Sequence, residues 1–331
     1  MKIFKILTLP YFFLNFFFEI LKYKFFKINN SNTSYYMMIY FFSIFGGISN
    51  SIINFFLKKK GSLNINIKND IKYDIISTTK NLKENGYIKK SKFLKYEEVE
   101  IIKNKILNLT GRYDDDKIKN TDPVKLDLNN PKSIRYKYNS SDLIKIPEIQ
   151  DLIINENILK VVETYLGSIP IIEYCESWWS FPSDYEDDSA AQMWHFDMDR
   201  PRWLKVFIFL NDCNLDNGGH LFIKKTHKNF GIPFGIRKKG YSRISNDIIK
   251  KTFSESEIIL MDAKAGDILF EDTIGLHKGK NLKKGNRLIL QFQYSSALFG
   301  SKPQMIKMPK TKTENFKYHL KNNDYLFLNF K

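Results

Sequence analysis

Cysteine is nearly absent from this chain: Cys175 and Cys213 are the two it has, and they form neither a CxxC pair nor part of a longer ladder. A cysteine-ligated zinc module and a disulfide-stapled secreted fold are therefore excluded. Both thiols read as buried groups in a reducing, cytoplasmic setting, and nothing supports a bridge between them. No internal repeat of fixed period occurs. Acidic residues are also in short supply, 36 against 52 lysines and arginines, for a formal net charge of +16. Such an excess commonly marks a nucleic-acid or anionic-surface partner. Here the lysines are scattered along a sequence rich throughout in Lys, Asn, Ile and Phe, with no basic stripe interleaved with aromatics, so no nucleic-acid partner is expected. The hydrophobic fraction of 43% suffices for a buried core and excludes wholesale disorder.

The N-terminal run MKIFKILTLPYFFLNFFFEI looks like a signal peptide, but it lacks a small-residue cleavage site and Glu19 interrupts it, so cleavage is not expected. From Tyr35 to Leu57 no charged residue occurs, which meets the ~20-residue length of a spanning helix. Ser49, Asn50, Ser51 and Asn54 crowd the half that follows Gly46 and Gly47, a pattern better suited to a buried or interfacial helix than to a lipid-facing one. The expectation is an apolar helical extension over residues 1–74, decorating the main domain, with at most peripheral membrane contact through residues 1–60.

The main domain is placed at residues 75–305 and a C-terminal tail at 306–331. Its entry, Asn81 to Ile106, reads as a helix end, a short strand through Tyr87 and Ile88, and a helix starting at the acidic Glu97 and Glu98. Another helical stretch lies around Pro147 to Leu166. From Ile171 onward the texture changes to short apolar runs separated by turn residues, among them IIEYCESWWSF, LKVFIFLND, HLFIKK, GDILFED and RLILQFQYS. Strands so spaced indicate a β-sandwich or barrel within an α+β domain.

Chemistry enters with MWHFDMDRP, Met193 to Pro201. In an extended chain His195 and Asp197 project to one face while Trp194 and Phe196 project to the other. Two ligands cannot hold an iron or zinc ion alone. Of the remaining histidines, His220, His227, His277 and His319, the best third ligand is His277, which follows the strand in GDILFEDTIGLHKG at a loop able to lean into a pocket between sheets. His195, Asp197 and His277 would form a 2-His-1-carboxylate facial triad, the open-sided arrangement of non-haem Fe(II) oxygenases. An isolated HxD is more often a satisfied structural histidine beside an acid, so the motif needs support. Arg287, ten residues on, supplies some. It starts the strand RLILQFQY on the face of Ile289, Gln291 and Gln293, and an arginine aimed into an apolar barrel is costly unless an anion meets it. An exposed strand start is the competing reading.

MWHFD, the run RWLKVFIFLNDCNLDNGGHLFIKKTHK (Arg202 to Lys228), AGDILFEDTIGLHKGK and GNRLILQFQYS resemble, in that order, the motifs of the phytanoyl-CoA dioxygenase (PhyH) family of Fe(II)/2-oxoglutarate-dependent oxygenases. The resemblance covers Asn81 to Phe299. It implies a mainly β core in the form of a double-stranded β-helix, a cupin-like jelly-roll with helices packed outside one sheet. His195, Asp197 and His277 then match the iron ligands, and Arg287 matches the residue that grips the distal carboxylate of 2-oxoglutarate. With O2 as oxidant, the implied reaction hydroxylates a small or lipid-like molecule at an aliphatic C–H bond and releases succinate and carbon dioxide. Asp197 sets the chain apart from related halogenases, which carry a small residue at that position. The family's Pro-Gly-Ser-His turn is replaced by Lys224 to His227, which leaves the triad untouched but alters the loop; His227 is expected to shape that loop.

Expected pocket walls are Trp178, Trp179, the loop Phe181 to Gln192, and the basic segment Ile232 to Lys251, where Arg237, Lys238 and Lys239 would suit a phosphorylated or CoA-linked substrate. His220 receives no role, and His319 reads as a surface residue. Two other readings stay open: a catalytically silent, membrane-associated jelly-roll binding protein, and a cupin-like metal enzyme of other chemistry.

Overall fold

The computed structural model describes residues 2–27, 31–65, 69–115, 118, 122–183, 192–214 and 216–331. The strands are β1 (Tyr87–Lys90), β2 (Thr110–Tyr113), β3 (Val124–Lys125), β4 (Arg135–Tyr138), β5 (Ile171–Ser180), β6 (Trp203–Phe209), β7 (His220–Ile223), β8 (Ile258–Met261), β9 (Ile268–Glu271), β10 (His277–Gly279) and β11 (Arg287–Ser295). The helices are α1 (Lys2–Phe26), α2 (Ser31–Phe45), α3 (Gly47–Leu57), α4 (Asn69–Asn85), α5 (Tyr96–Leu107), α6 (Ser140–Leu143), α7 (Pro147–Ile153), α8 (Glu156–Leu166), α9 (Phe234–Arg237), α10 (Asn246–Thr252) and α11 (Glu314–Asn322).

A large antiparallel sheet runs β1-β9-β6-β11-β5-β4-β2-β3, and a smaller one, β10-β7-β8, closes over it as the second wall of a jelly-roll. β11 is the spine of the large sheet, bonded along its length to β5 on one side and β6 on the other. Its alternation divides the molecule. Leu288, Leu290 and Phe292 face outward into a core shared with Val206 and Ile208 of β6 and with the buried faces of α5, α7 and α8. Arg287, Ile289 and Gln291 face inward and line a pocket between the sheets. The helices outside this sheet form because their apolar residues recur on one stripe. In α8 that stripe is Ile158, Leu159, Val162 and Leu166, begun by an Asn155 side chain that caps two backbone amides and ended by Gly167 at positive φ.

At the entry, the sequence expectation matches the observed α4, β1 and α5. From α11 onward the chain lies against the outer core, with Phe316, Leu326 and Phe327 buried there. His319 is fully buried on α11, with Nδ1 3.1 Å from the side-chain Nδ2 of Asn323, contrary to its reading as a surface residue. The reason is periodicity: it lies three residues after Phe316, on the same inward stripe. Helices α1, α2 and α3 form a further layer on the other side of the molecule. Phe16, Met38, Phe42 and Ile53 are buried there with Trp194, Phe196 and Phe299. Among the described residues no helix is long and apolar enough to cross a membrane.

Candidate metal centre

Residues 193–197 do not form a regular strand; they are held by isolated bridges, Trp194 to Ile244 and His195 to His277. Extended geometry nevertheless survives. Trp194 and Phe196 go to the helical layer, while His195 and Asp197 line the pocket. His195 and His277 exchange backbone hydrogen bonds of 3.1 and 2.9 Å, which sets their rings side by side, centroids 4.2 Å apart and planes tilted by 51°. The Asp197 amide donates to the Thr273 carbonyl at 2.8 Å, so both sides of the triad are tied to the turn before β10.

The ring nitrogens are sorted by their backbone partners. Nδ1 of His195 lies 2.8 Å from the Met193 carbonyl and Nδ1 of His277 2.9 Å from the Gly275 carbonyl. A carbonyl can only accept, so both Nδ1 atoms carry the proton and both Nε2 lone pairs are free to bind. Those Nε2 atoms sit 3.9 and 3.7 Å from the two Asp197 carboxylate oxygens. One ligand atom from each of the three residues lies within 4.8 Å of the others, a spacing a single ion can bridge. Burial depresses the His195 imidazole to about 4 and pushes His277 well below the ordinary histidine range. Both imidazoles are therefore neutral at physiological pH, the form that metal binding requires. Burial, the largest single influence, would raise the Asp197 carboxyl, but the Lys205 ammonium 2.6 Å from Oδ2, together with the flanking His277 and His195, more than offsets it and holds the group below the usual carboxylate range. Donor set, protonation and convergence all fit a divalent cation.

Arg287 lines the same pocket and is 8% exposed. One terminal nitrogen donates to the Gly218 carbonyl and the other reaches the Ser180 hydroxyl at 3.4 Å. Its buried Nε has no acceptor among the described residues. An N–H left so is costly, and a carboxylate would satisfy it. Gly218 has φ +88, and a Cβ added there would meet Leu282 at 2.5 Å and the Arg287 guanidinium at 3.1 Å. Gly218→Ala should therefore cost more than about 1 kcal/mol of stability, because an alanine at positive φ is strained even before the clash. Thermal unfolding measures this, and a wild-type midpoint would contradict it.

The walls differ from the sequence reading. Trp178 lines the pocket, whereas Trp179 alternates into the outer core. Residues 184–191 of the expected loop wall lie outside the described residues. In the basic segment, Arg237 donates to the Ile44 carbonyl of α2, away from the pocket, and Tyr241 and Arg243 line it instead. His227 binds the Lys83 carbonyl at 3.1 Å, tying its turn to α4.

Sequence reasoning passed over three groups here. Lys205 is largely buried against Asp197; its signal is one charge within WLKVFIFL, on the pocket face with Phe207 and Phe209. His220 lines the pocket, its ring 5.8 Å from that of His277, with Nε2 3.0 Å from the fully buried Glu271 carboxylate. Arg135 joins from β4, stacked 4.8 Å over Trp178 and paired to Asp114 at 3.0 Å. A larger cavity of about 810 Å³ lies on the far side of the large sheet, among α4, α5 and α8. Among the described residues the one group of three His, Cys, Asp or Glu spaced for a metal is the triad.

A family model described as phytanoyl-CoA dioxygenase (PhyH) matches residues 82–283. No curated protein sequence matches the chain. Among solved structures, the chain is similar to the epimerase SnoN, in complex with Fe3+, alpha ketoglutarate and nogalamycin RO, at 14% identity over 68% of this chain and 84% of that one, with TM-score 0.47. It is similar to HygX from Streptomyces hygroscopicus, with nickel and 2-oxoglutarate bound, at 14% identity over 76% and 94%, with TM-score 0.47. AviO1 from Streptomyces viridochromogenes Tue57 matches at 14% identity over 67% and 95%, with TM-score 0.45. At such distance the functional reading stands on the family match and on the site itself.

Proposed function

The chain belongs to the phytanoyl-CoA dioxygenase (PhyH) family, and on that premise we propose that it is an Fe(II)/2-oxoglutarate-dependent dioxygenase that hydroxylates an aliphatic C–H bond of a small or lipid-like molecule. The observation that carries the reading is the meeting of His195, Asp197 and His277 in the pocket that Arg287 also lines. A facial triad leaves one side of the ion open, and an arginine in the same cavity gives a dicarboxylic co-substrate its second anchor. The cavity of about 240 Å³ has room for a five-carbon dicarboxylate.

When bound, the iron and 2-oxoglutarate supply the oxidising power, with O2 consumed and succinate and carbon dioxide released. The chain's residues do the rest. His195 and His277 present Nε2, locked by their Nδ1 bonds to Met193 and Gly275. Asp197 supplies the anionic ligand. Trp178, Phe207 and Ile289 line the pocket with apolar surface that keeps water from the reacting centre.

Adding Fe(II) and then 2-oxoglutarate without oxygen should produce a weak visible charge-transfer band, and air should then yield succinate. A pocket that binds iron but gives neither band nor succinate would refute the proposal. A silent binding protein needs neither.

A further inference from the structure

Helices α1–α3 have a second apolar side. Their inner faces pack on the domain, with Phe42 5.5 Å from Phe196 and Phe16 6.0 Å from Phe299. An ordinary surface helix would turn polar residues outward. These do not: Phe26 is 72% exposed, Phe25 68% and Phe55 64%, and Leu14, Phe17 and Ile52 are exposed as well. The three helices touch one another, so the rings belong to one layer. Exposed Phe13 and Phe45 meet at 6.4 Å across α1 and α2, and Lys24 reaches both Phe25 and Phe56 across α1 and α3. Apolar surface on this scale is uncommon without a partner.

Charge says which partner. Before Asp70 the sequence has a single acid, Glu19, and it is buried and bonded to Lys22 at 2.9 Å. One edge of the layer carries Lys24 and Lys27 at the end of α1 and Lys58, Lys59 and Lys60 after α3. Lys27 lies close enough to Lys59 to feel its charge. Another edge is built where Gly47 bonds to the Asn229 carbonyl at 2.7 Å and Arg237 to the Ile44 carbonyl. Around it stand exposed Phe230 and Phe234 with exposed Lys228, Lys238 and Lys239. Aromatic and aliphatic side chains between cationic edges match a bilayer interface, where acyl chains lie beneath anionic headgroups.

We propose that the outer face of α1–α3, with Phe230 and Phe234, docks on an anionic lipid bilayer without crossing it. A second copy fits less well, because a two-fold interface would set each cationic edge against its own kind. The proposal goes beyond the oxygenase reading and does not depend on it.

The test is co-sedimentation of the full chain with phosphatidylcholine vesicles, with and without phosphatidylserine. On the order of tenfold more protein should pellet with the anionic vesicles, since each lysine near such a surface adds several-fold. Salt should reverse much of the difference. The variant Phe25→Ser/Phe26→Ser/Phe55→Ser should lose binding, and so should Lys24→Glu/Lys59→Glu. All five positions are on the surface, so both variants should keep the wild-type unfolding midpoint and 2-oxoglutarate binding, which separates a failed docking face from a failed enzyme. The proposal is overturned if the parent stays in the supernatant with both vesicle types, or if folded variants pellet as the parent does. A solution mass of two chains that the Phe variant halves would assign the face to a second copy and overturn it equally.

Discussion

Asp197→Ala, and separately His277→Ala, are expected to reduce 2-oxoglutarate turnover to background. The two fail for different physical reasons. Without His277 the ion loses one of two neutral nitrogen donors, and His195 with Asp197 offers only two protein atoms. Without Asp197 it loses its one anionic protein ligand, and a second defect appears. Lys205 and Asp197 are both largely buried and bonded at 2.6 Å, so removing the carboxylate leaves an ammonium without its partner. Breaking one side of such a pair costs about 3–5 kcal/mol, whereas replacing both sides with apolar groups is often neutral. Asp197→Ala should therefore unfold at a clearly lower temperature than wild type, and Asp197→Ala/Lys205→Met should recover most of that stability while remaining inactive. Iron titration followed by unfolding gives the reading: metal should raise the midpoint of wild type and of neither Asp197 variant. Substantial turnover by the stable double variant would remove Asp197 from the ligand set.

The same residues explain why the site was legible in sequence and its surroundings less so. His195, Asp197 and His277 could be read because ligand chemistry restricts residue types and because a two-residue spacing puts neighbours on one face, whether the segment pairs as a strand or, as here, through isolated bridges. The inward face of β11 followed from the same period of two. Long-range pairing was hidden. Lys205 could be seen as an odd charge in an apolar strand, but its bond to Asp197 depends on β6 pairing with β9, which sets Lys205 opposite Glu271, two residues before the Thr273 carbonyl that receives the Asp197 amide. His220 and Glu271 meet only because two separate sheets close on each other. Arg237 was misplaced for a related reason: a basic run shows its charge in sequence but not that one member would turn to cap the α2 carbonyl of Ile44. Trp178 and Trp179 were read together although adjacent strand residues must part to opposite faces.

For Arg287→Leu the expected result is a loss of 2-oxoglutarate affinity with iron binding retained. Truncating one side of a buried, hydrogen-bonded charge pair costs about 2–5 kcal/mol, or roughly 30- to 5,000-fold in affinity. The competing clamp is Arg135, which pairs with Ser180 in register from the opposite side to Arg287. It is already committed, however, to Asp114 at 3.0 Å and to the face of Trp178. Arg287 has no carboxylate partner among the described residues, so an incoming carboxylate meets an uncompensated charge there and would have to displace Asp114 at Arg135. Arg135→Leu should accordingly weaken 2-oxoglutarate much less. Arg287→Lys restores the charge but not the planar fork, so it should recover part of the affinity. Because Arg287 also bonds Gly218 and Ser180, a lower unfolding midpoint alone would not separate clamp from structural support. The split does: a clamp variant regains succinate formation as 2-oxoglutarate is raised and keeps its iron, whereas general loosening of the pocket weakens both ligands together. Unchanged 2-oxoglutarate affinity in folded Arg287→Leu would move the anchor elsewhere in the cavity.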